Sequence, residues 1–88
     1  MSPPVRPEVV HRPEDSRFEV TVGGQLAALV YERDAGTVTM LHTVVPEEAE
    51  GQGIASALAA EAVGWARAEG LEVVPQCSYV RGWLERHG

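Results

Sequence analysis

Apolar residues in the first half of the chain fall in three short β-like runs, at residues 16–22, 25–33 and 37–45. The first run alternates apolar and polar residues, which is typical of a β-strand with one buried face. The second is apolar on both faces and predicts a central strand. Gly23 and Gly24 separate the first two runs and predict a two-residue hairpin turn, because such turns need positive φ angles. Residues 34–36 form the next predicted turn. The pattern therefore predicts an antiparallel three-strand meander.

The third predicted strand has two distinct faces, because successive side chains of a strand point in opposite directions. Strict alternation predicts one face of Val38, Met40, His42 and Val44, and another of Thr39, Leu41, Thr43 and Val45. On this pattern, His42 is a polar residue on an otherwise apolar face. Pro46 ends the strand, because proline has no N–H to donate to a sheet.

The second half of the chain changes to a helical period. Residues 52–69 place one apolar stripe on a predicted helix, and Gly70 stands where a C-terminal cap belongs. A short apolar run at 71–74 predicts a fourth strand, and 78–87 predicts a second helix. The expected order is β-β-β-α-β-α. It defines an α+β (α/β) domain with the meander, a parallel fourth strand and two helices.

The N-terminus differs in composition from the rest of the chain. Residues 1–13 are rich in proline and predict an extended lead-in, within which Val9 and Val10 suit a short edge strand. We expect residues 14–88 to form a single domain, because 88 residues suffice for one domain.

Charge and composition narrow the classes of function. The net charge is −6 and there is no lysine, so we expect neither a nucleic acid nor an anionic membrane surface as partner. No run is apolar enough to span a membrane, and the N-terminus has no signal-peptide pattern. Cys77 is the only cysteine, which excludes an internal disulfide, and we see no metal-ligand spacing. A cytoplasmic protein is expected.

The loop before the first helix is the main candidate site. Gly51 and Gly53 precede a helix N-terminus, where unpaired N–H groups and a partial positive charge favour anions. Neither a P-loop nor a dinucleotide fingerprint is present, because no lysine follows and the third glycine is absent. The nearby carboxylates Glu47, Glu48 and Glu50 oppose anion binding.

The run GQGIASAL after HTVVP resembles the acetyl-CoA loop of the GNAT (GCN5-related N-acetyltransferase) superfamily. Its motif, Q/R-x-x-G-x-G/A, falls on Glu50, Gly51, Gln52, Gly53, Ile54 and Ala55. Glu50 departs from the usual Gln or Arg. The runs RFEV, LVYE, LHTVVP and PQCSYVRGWLERH resemble in addition the compact YjdJ-like branch of N-acetyltransferase domain-containing proteins. The resemblance extends from about His11 to the C-terminus.

This resemblance implies a minimal GNAT-like core that binds acetyl-CoA (CoA). The third and fourth predicted strands would splay apart around the pantetheine arm, which backbone groups of Thr43, Val44 and Val45 would contact. The pyrophosphate would lie on Glu50, Gly51, Gln52, Gly53, Ile54 and Ala55. Larger members of the superfamily have further elements that bind the acceptor, so the amine acceptor is left unidentified.

Three side chains are candidates for chemistry, and each has a structural alternative. Cys77, at the start of the last helix, would be an activated thiol or a small buried residue. Tyr79 would protonate the departing CoA thiolate, as the resemblance implies, or pack as a core or rim aromatic. His42 would act as a general base or form a structural hydrogen bond.

The sequence thus leaves competing hypotheses for function. The first is a GNAT-like N-acetyltransferase in which the amine attacks the thioester directly, an acetyl-Cys77 route being second. The alternative is a non-catalytic CoA-binding or protein-interaction module, which would tolerate Cys77→Ser. A plain interaction domain would not bind CoA at all. The sequence does not determine the oligomeric state.

Overall fold

The computed structural model describes residues 8–87, which form a five-stranded sheet and two helices. The strands are β1 (Val10–Arg12), β2 (Arg17–Val22), β3 (Gln25–Asp34), β4 (Thr37–Val44) and β5 (Glu72–Pro75). The helices are α1 (Ile54–Ala68) and α2 (Ser78–His87), and short 3-10 turns lie at Pro13–Asp15 and Glu47–Ala49. The strands follow one another across the sheet in chain order.

The predicted α+β architecture is confirmed. Strands β1 to β4 pair antiparallel, and β4 pairs with β5 in parallel. Gly23 and Gly24 both have positive φ and close the β2–β3 hairpin between the paired residues Val22 and Gln25. The expected edge strand is present as β1, beginning at Val10. Most of the predicted lead-in, residues 1–7, lies outside the described residues.

Both helices pack against the same face of the sheet and form one hydrophobic core. Phe18, Val20, Leu29 and Met40 reach this core from the strands. Each helix contributes a predominantly apolar stripe. Together the two stripes place in the core Ile54, Leu58, Ala59, Ala62, Val63, Ala66, Val80 and Trp83. The apolar stripes that the helical period predicts include Ile54, Leu58, Ala62 and Ala66 on α1 and Val80 and Trp83 on α2, but not the buried Ala59 and Val63.

A bulge in β4 overturns the strand faces predicted from strict alternation. Tyr31 pairs with Met40 and Val30 pairs with His42, so Leu41 has no partner in the β3 register. The extra residue exchanges the two faces beyond it. Met40 points into the core, but the next core-facing position is Thr43 rather than His42. His42 is exposed on the outer face beside Val30, and Val44 is likewise on that face beside Ala28.

Strands β4 and β5 share only part of their length. Their pairing runs from Thr37 with Glu72 to Met40 with Pro75, where β5 ends. Strand β4 continues to Val44, so within residues 8–87 its last residues have no strand neighbour on the β5 side. The chain then enters α2, and the Cys77 N–H donates to the Met40 carbonyl at 2.8 Å. A gap therefore opens between the end of β4 and the start of α2.

An aromatic cluster of His11, Phe18, Tyr31 and Trp65 packs the edge strand β1 against the rest of the domain. The His11 ring stacks on Phe18 at 4.0 Å between centroids and meets the edge of Trp65 at 4.7 Å. Its Nε2 lies 2.6 Å from the Tyr31 hydroxyl. Burial lowers the pKa of His11, and the charge of Glu14 only partly opposes this shift. The neutral imidazole is therefore favoured in the folded state.

This cluster predicts an acid-sensitive contribution to stability. Because the pKa of His11 is lower in the folded chain than in the unfolded one, the unfolded chain binds more protons between the two values. The stability that neutral His11 contributes is fully present above the ordinary histidine pKa of about 6.5, and it is lost as the pH falls through the pKa of His11 in the folded chain. We expect the melting temperature to drop between pH 7.5 and 5.5, and His11→Phe to reduce that drop. An equal drop in the variant would contradict this assignment.

Candidate active site

A cleft of about 490 Å³ lies where the end of β4 meets the N-termini of both helices. This volume is within the usual range for small-molecule sites. The walls come from the end of β4, the loop after it and the first turns of α1 and α2. The lining residues are Thr43, Val45, Ala49, Glu50, Gly51, Gly53, Ile54, Ala55, Ser56 and Tyr79.

The glycines of the loop keep one wall of the cleft free of side chains. Gly51 and Gly53 have φ angles of 84° and 75°, which favour glycine over other residues. A Cβ at either position would meet no protein atom within 4 Å. Backbone conformation rather than close packing therefore accounts for both glycines, and the space beside them is open.

The N-terminus of α1 presents unpaired donors at this wall. Ala57 donates to the Gly53 carbonyl at 3.0 Å, so the N–H groups of the preceding helical residues have no helical acceptor. Gly53 is the N-cap and offers no side chain to cover them. The first turn of α1 contains no acidic residue. These donors and the helix dipole can hold an anion.

The charged side chains around this loop are acidic. Glu50 is the single charged residue that lines the cleft within the described part of the chain. Glu47 and Glu48 lie in the exposed 3-10 turn before it and do not line the cleft. An anion in this cleft would therefore depend on N–H and hydroxyl donors rather than on an arginine.

Cys77 occupies the N-cap position of α2 and lies next to Met40 and Thr43 of β4. Its Sγ lies 3.5 Å from the Thr43 Oγ1, and its side chain is buried. Burial by itself would raise the pKa of the Cys77 thiol. The Thr43 hydroxyl and the backbone N–H groups of Val80, Tyr79 and Thr43 outweigh this effect and lower the pKa. The thiolate is therefore favoured relative to an ordinary cysteine.

The structure brings together most, but not all, of the predicted site residues. Thr43, Val45 and Tyr79 line the cleft together with residues of the glycine loop and the first turn of α1. Cys77 touches the cleft wall through Thr43. Gln52 is exposed and does not line the cleft. His42 and Val44 lie on the outer face of the sheet, because the bulge at Leu41 turns them away from the helices.

Ala49 and Ser56 are cleft residues that the sequence did not single out. Ser56 stands one helical turn after Gly53, so its position on the same side of α1 follows from the helical period. Its Oγ accepts a hydrogen bond of 3.1 Å from the Trp83 Nε1 on α2. Ala49 comes to the cleft through the 3-10 turn at Glu47–Ala49, which no periodic pattern indicated.

Comparison with protein families connects this architecture to a known class. Residues 17–88 match the family model described as GCN5-related N-acetyl-transferase. The chain belongs to this acyltransferase family, whose members generally use acetyl-CoA. The match supports the superfamily and gives no support to the narrower YjdJ-like branch. A comparison with curated proteins found no match.

Two negative findings apply to residues 8–87. Neither helix there is long and apolar enough to cross a membrane. In the same range, no group of three or more histidine, cysteine, aspartate or glutamate side chains is arranged to hold a metal ion.

The surroundings of Cys77 predict a measurable shift in its reactivity. We expect alkylation by iodoacetamide to rise with a midpoint at lower pH in the folded chain than in the same chain under denaturing conditions, because the thiolate is the reacting form. Thr43→Val removes the hydroxyl donor and should move this midpoint to higher pH, whereas Thr43→Ser retains a donor and should move it less. Since Cys77 is the only cysteine, intact mass reports its modification directly. Equal midpoints in the two variants would contradict a role for the hydroxyl.

Proposed function

We propose that the chain is an acetyl-CoA-dependent N-acetyltransferase that uses this cleft. The observation that carries the proposal is the meeting of three features at one place. The glycine loop and open α1 N-terminus form one wall, and the end of β4, which pairs with β3 but not with β5, forms another. Tyr79 and the nearby Cys77 thiol lie at the α2 N-terminus. The family match supports acyl transfer as the chemistry.

The donors of the cleft suit the pyrophosphate of CoA. The N–H groups at the start of α1 would hold it, and Gly51 and Gly53 would let it approach the backbone closely. Glu50 would weaken this binding by charge repulsion. Binding through backbone donors is compatible with a cleft wall to which none of residues 8–87 contributes an arginine.

The end of β4 beyond its pairing with β5 suits the pantetheine arm. Beyond Met40 this strand has no β5 neighbour, and Thr43 and Val45 line the cleft. Backbone N–H and C=O groups there would form hydrogen bonds with the amides of the arm, as they would with a neighbouring strand. Val44 would contribute through its backbone alone, because its side chain faces outward.

The residues at the α2 N-terminus suit acetyl transfer to an amine. Acetyl-CoA, when bound, supplies an activated thioester. The Tyr79 hydroxyl would donate a proton to the departing sulfur. The Cys77 thiolate, favoured by its four hydrogen-bond donors, would accept the proton that the attacking amine loses. His42 has no part in this proposal, because it lies on the outer face of the sheet.

Calorimetric titration with acetyl-CoA and with CoA at moderate salt tests the binding step. We expect a Kd on the order of micromolar. Gly53→Glu should abolish binding, because it places a carboxylate at the proposed phosphate position. Gly24→Glu is the matched control, because Gly24 also has positive φ but lies in the β2–β3 turn. Absence of binding by the parent chain at millimolar ligand would refute the proposal.

The same titration measures the effect of Glu50. We expect Glu50→Gln to strengthen CoA binding about three- to tenfold, because it removes a repulsive charge beside the anion. Glu48→Gln makes the same charge change outside the cleft lining and should have a smaller effect. If both substitutions strengthened binding equally, only the overall net charge would be responsible.

Acetyl transfer to lysine and to polyamines, used as probe amines, tests the chemical step. We expect Cys77→Ser and Tyr79→Phe each to lower kcat by about 10²-fold or more, as for loss of a general base or acid. Direct attack predicts no burst of CoA release without an amine. A burst of one equivalent, abolished in Cys77→Ser, would replace direct attack by the acetyl-Cys77 route. CoA binding with full tolerance of both substitutions would favour the non-catalytic module.

A further inference from the structure

The two helices cover only one face of the sheet. Ala27, Leu29 and Tyr31 of β3 point into the core beneath the helices, so the residues that alternate with them point to the opposite, outer face. Within residues 8–87, both helices and the core that they bury lie on the other side of the sheet. The exposed face of an antiparallel sheet is commonly polar, and this face departs from that pattern.

An apolar band crosses the outer face. In the part of the chain that the structure describes, the exposed large apolar side chains are Leu26, Val44 and Val74. The strand register sets Val44 beside Ala28 on the outer face. From Leu26 the band continues diagonally through Val30 and Thr39 to Val74 on β5. Scattered apolar residues are normal on a surface, whereas a contiguous apolar band marks an interaction site.

Charged side chains of opposite sign lie beside this band at different places. Arg12 and Arg17 lie next to each other on β1 and β2, and both bond the carboxylate of Glu19, which is buried. Glu32 and Asp34 are successive outer-face residues of β3, and both are exposed. Neither forms an ion pair with any of residues 8–87. The face therefore carries a basic pair, held in place by Glu19, and a separate acidic pair.

These positions make the outer face complementary to itself. A two-fold axis in the plane of the face, diagonal to the strands and passing near Val30, exchanges the two pairs and the two ends of the band. With strands about 4.8 Å apart and a rise of about 3.4 Å per residue, this axis places the basic pair of one copy opposite the acidic pair of the other. The Val74 end of the band then meets the Leu26 end.

We propose that a second copy of this chain docks face to face on the outer face and forms a two-fold symmetric dimer. Such an interface uses the same patch on both subunits, which is the commonest form of homodimer. The apolar band would supply the buried centre, and the charge pairs would fix its orientation. The proposal does not rest on the proposed function. The cleft lies on the helix side of the sheet, so both clefts of the dimer stay open.

The size of the outer face sets the expected strength of the dimer. The spacings of strands and residues give it an extent of roughly 20 by 25 Å, on the order of 500 Å². A standard interface buries about 800 Å² on each partner, so this contact is small. The net charge of −6 on each copy also opposes association. We therefore expect a reversible dimer with a Kd on the order of 10–100 μM.

Analytical ultracentrifugation of the full chain at moderate salt, from about 1 μM to about 1 mM, spans this Kd and tests the dimer. We expect the sedimentation coefficient to rise with concentration toward that of a dimer. Val74→Asp places a charge in the apolar band and should weaken the dimer by about tenfold or more. Val74 is already 40% exposed, so this variant should keep the melting temperature of the parent chain in dilute solution.

Glu32→Arg tests the charge pairs, and Glu61→Arg is its matched control. Both substitutions make the same change in net charge, but Glu61 is an exposed residue of α1. We expect Glu32→Arg to weaken the dimer by about tenfold or more, because the new cation faces the basic pair of the second copy. Glu61→Arg should not weaken it, because a less acidic chain repels its copy less.

A mixture of two variants tests whether the basic pair faces the acidic pair. Arg12→Glu alone should weaken the dimer, and Glu19 keeps Arg17 as its partner in this variant. A mixture of Arg12→Glu with Glu32→Arg should form a mixed dimer that is tighter than the dimer of either variant alone, because opposite charges again face each other. Loss of affinity through misfolding would lower the melting temperature and would not be rescued by mixing.

The outcomes separate this dimer from other occupants of the outer face. A parent chain that remains monomeric at about 1 mM overturns the proposal and leaves the face to a different partner. A dimer that Val74→Asp and Glu32→Arg both leave intact also overturns it, because another surface then forms the contact. Neither result bears on CoA binding, which the calorimetric titration tests separately.

Discussion

The bulge at Leu41 is the constraint on which the cleft depends. A regular β4 would point Met40, His42 and Val44 toward the helices and turn Thr43 and Val45 outward. One unpaired residue reverses this arrangement beyond Met40. The Thr43 side chain then reaches Cys77 on the helix side of the sheet, and the same change removes His42 from the cleft.

The early end of β5 is the second feature that shapes the cleft. Proline has no N–H for a further ladder bond, and β5 stops at Pro75. The Cys77 N–H donates to the Met40 carbonyl, which places the start of α2 against β4. The N-termini of α1 and α2 consequently converge on one cleft, and neither has an acidic residue in its first turn. Two helix dipoles therefore act there in the same sense, and their positive ends favour an anion in spite of the acidic net charge of the chain.

Local patterns predicted the elements of the fold, whereas the contacts that shape the site are tertiary. The β-like runs located β2, β3 and β4, the helical period predicted much of the buried faces of α1 and α2, and the glycine loop indicated an open helix N-terminus. The bulge has no such pattern, because Leu41 fits strict alternation and is distinguished only by the absence of a partner in the β3 register.

The side-chain contacts of the site join distant parts of the chain. The bond from Trp83 to Ser56 joins residues 27 positions apart, and the contact between Thr43 and Cys77 joins residues 34 positions apart. Neither has a sequence signature, because each depends on how α2 docks beside β4. The predicted position of Cys77 at the start of the last helix made it a candidate, and the fold supplies the donors that make its thiolate favourable.

The conflict between acidic residues and an anion site is resolved largely by position. The 3-10 turn places Glu47 and Glu48 on the exposed side of the loop, and Glu50 alone among these three lines the cleft. Exposed charges are screened over about 8–10 Å at physiological salt, whereas backbone donors act at hydrogen-bond distance. Short-range N–H groups can therefore dominate inside the cleft while the carboxylates dominate around it. Under the proposed function, such an arrangement would favour the anionic CoA within the cleft and attract a cationic amine toward its rim.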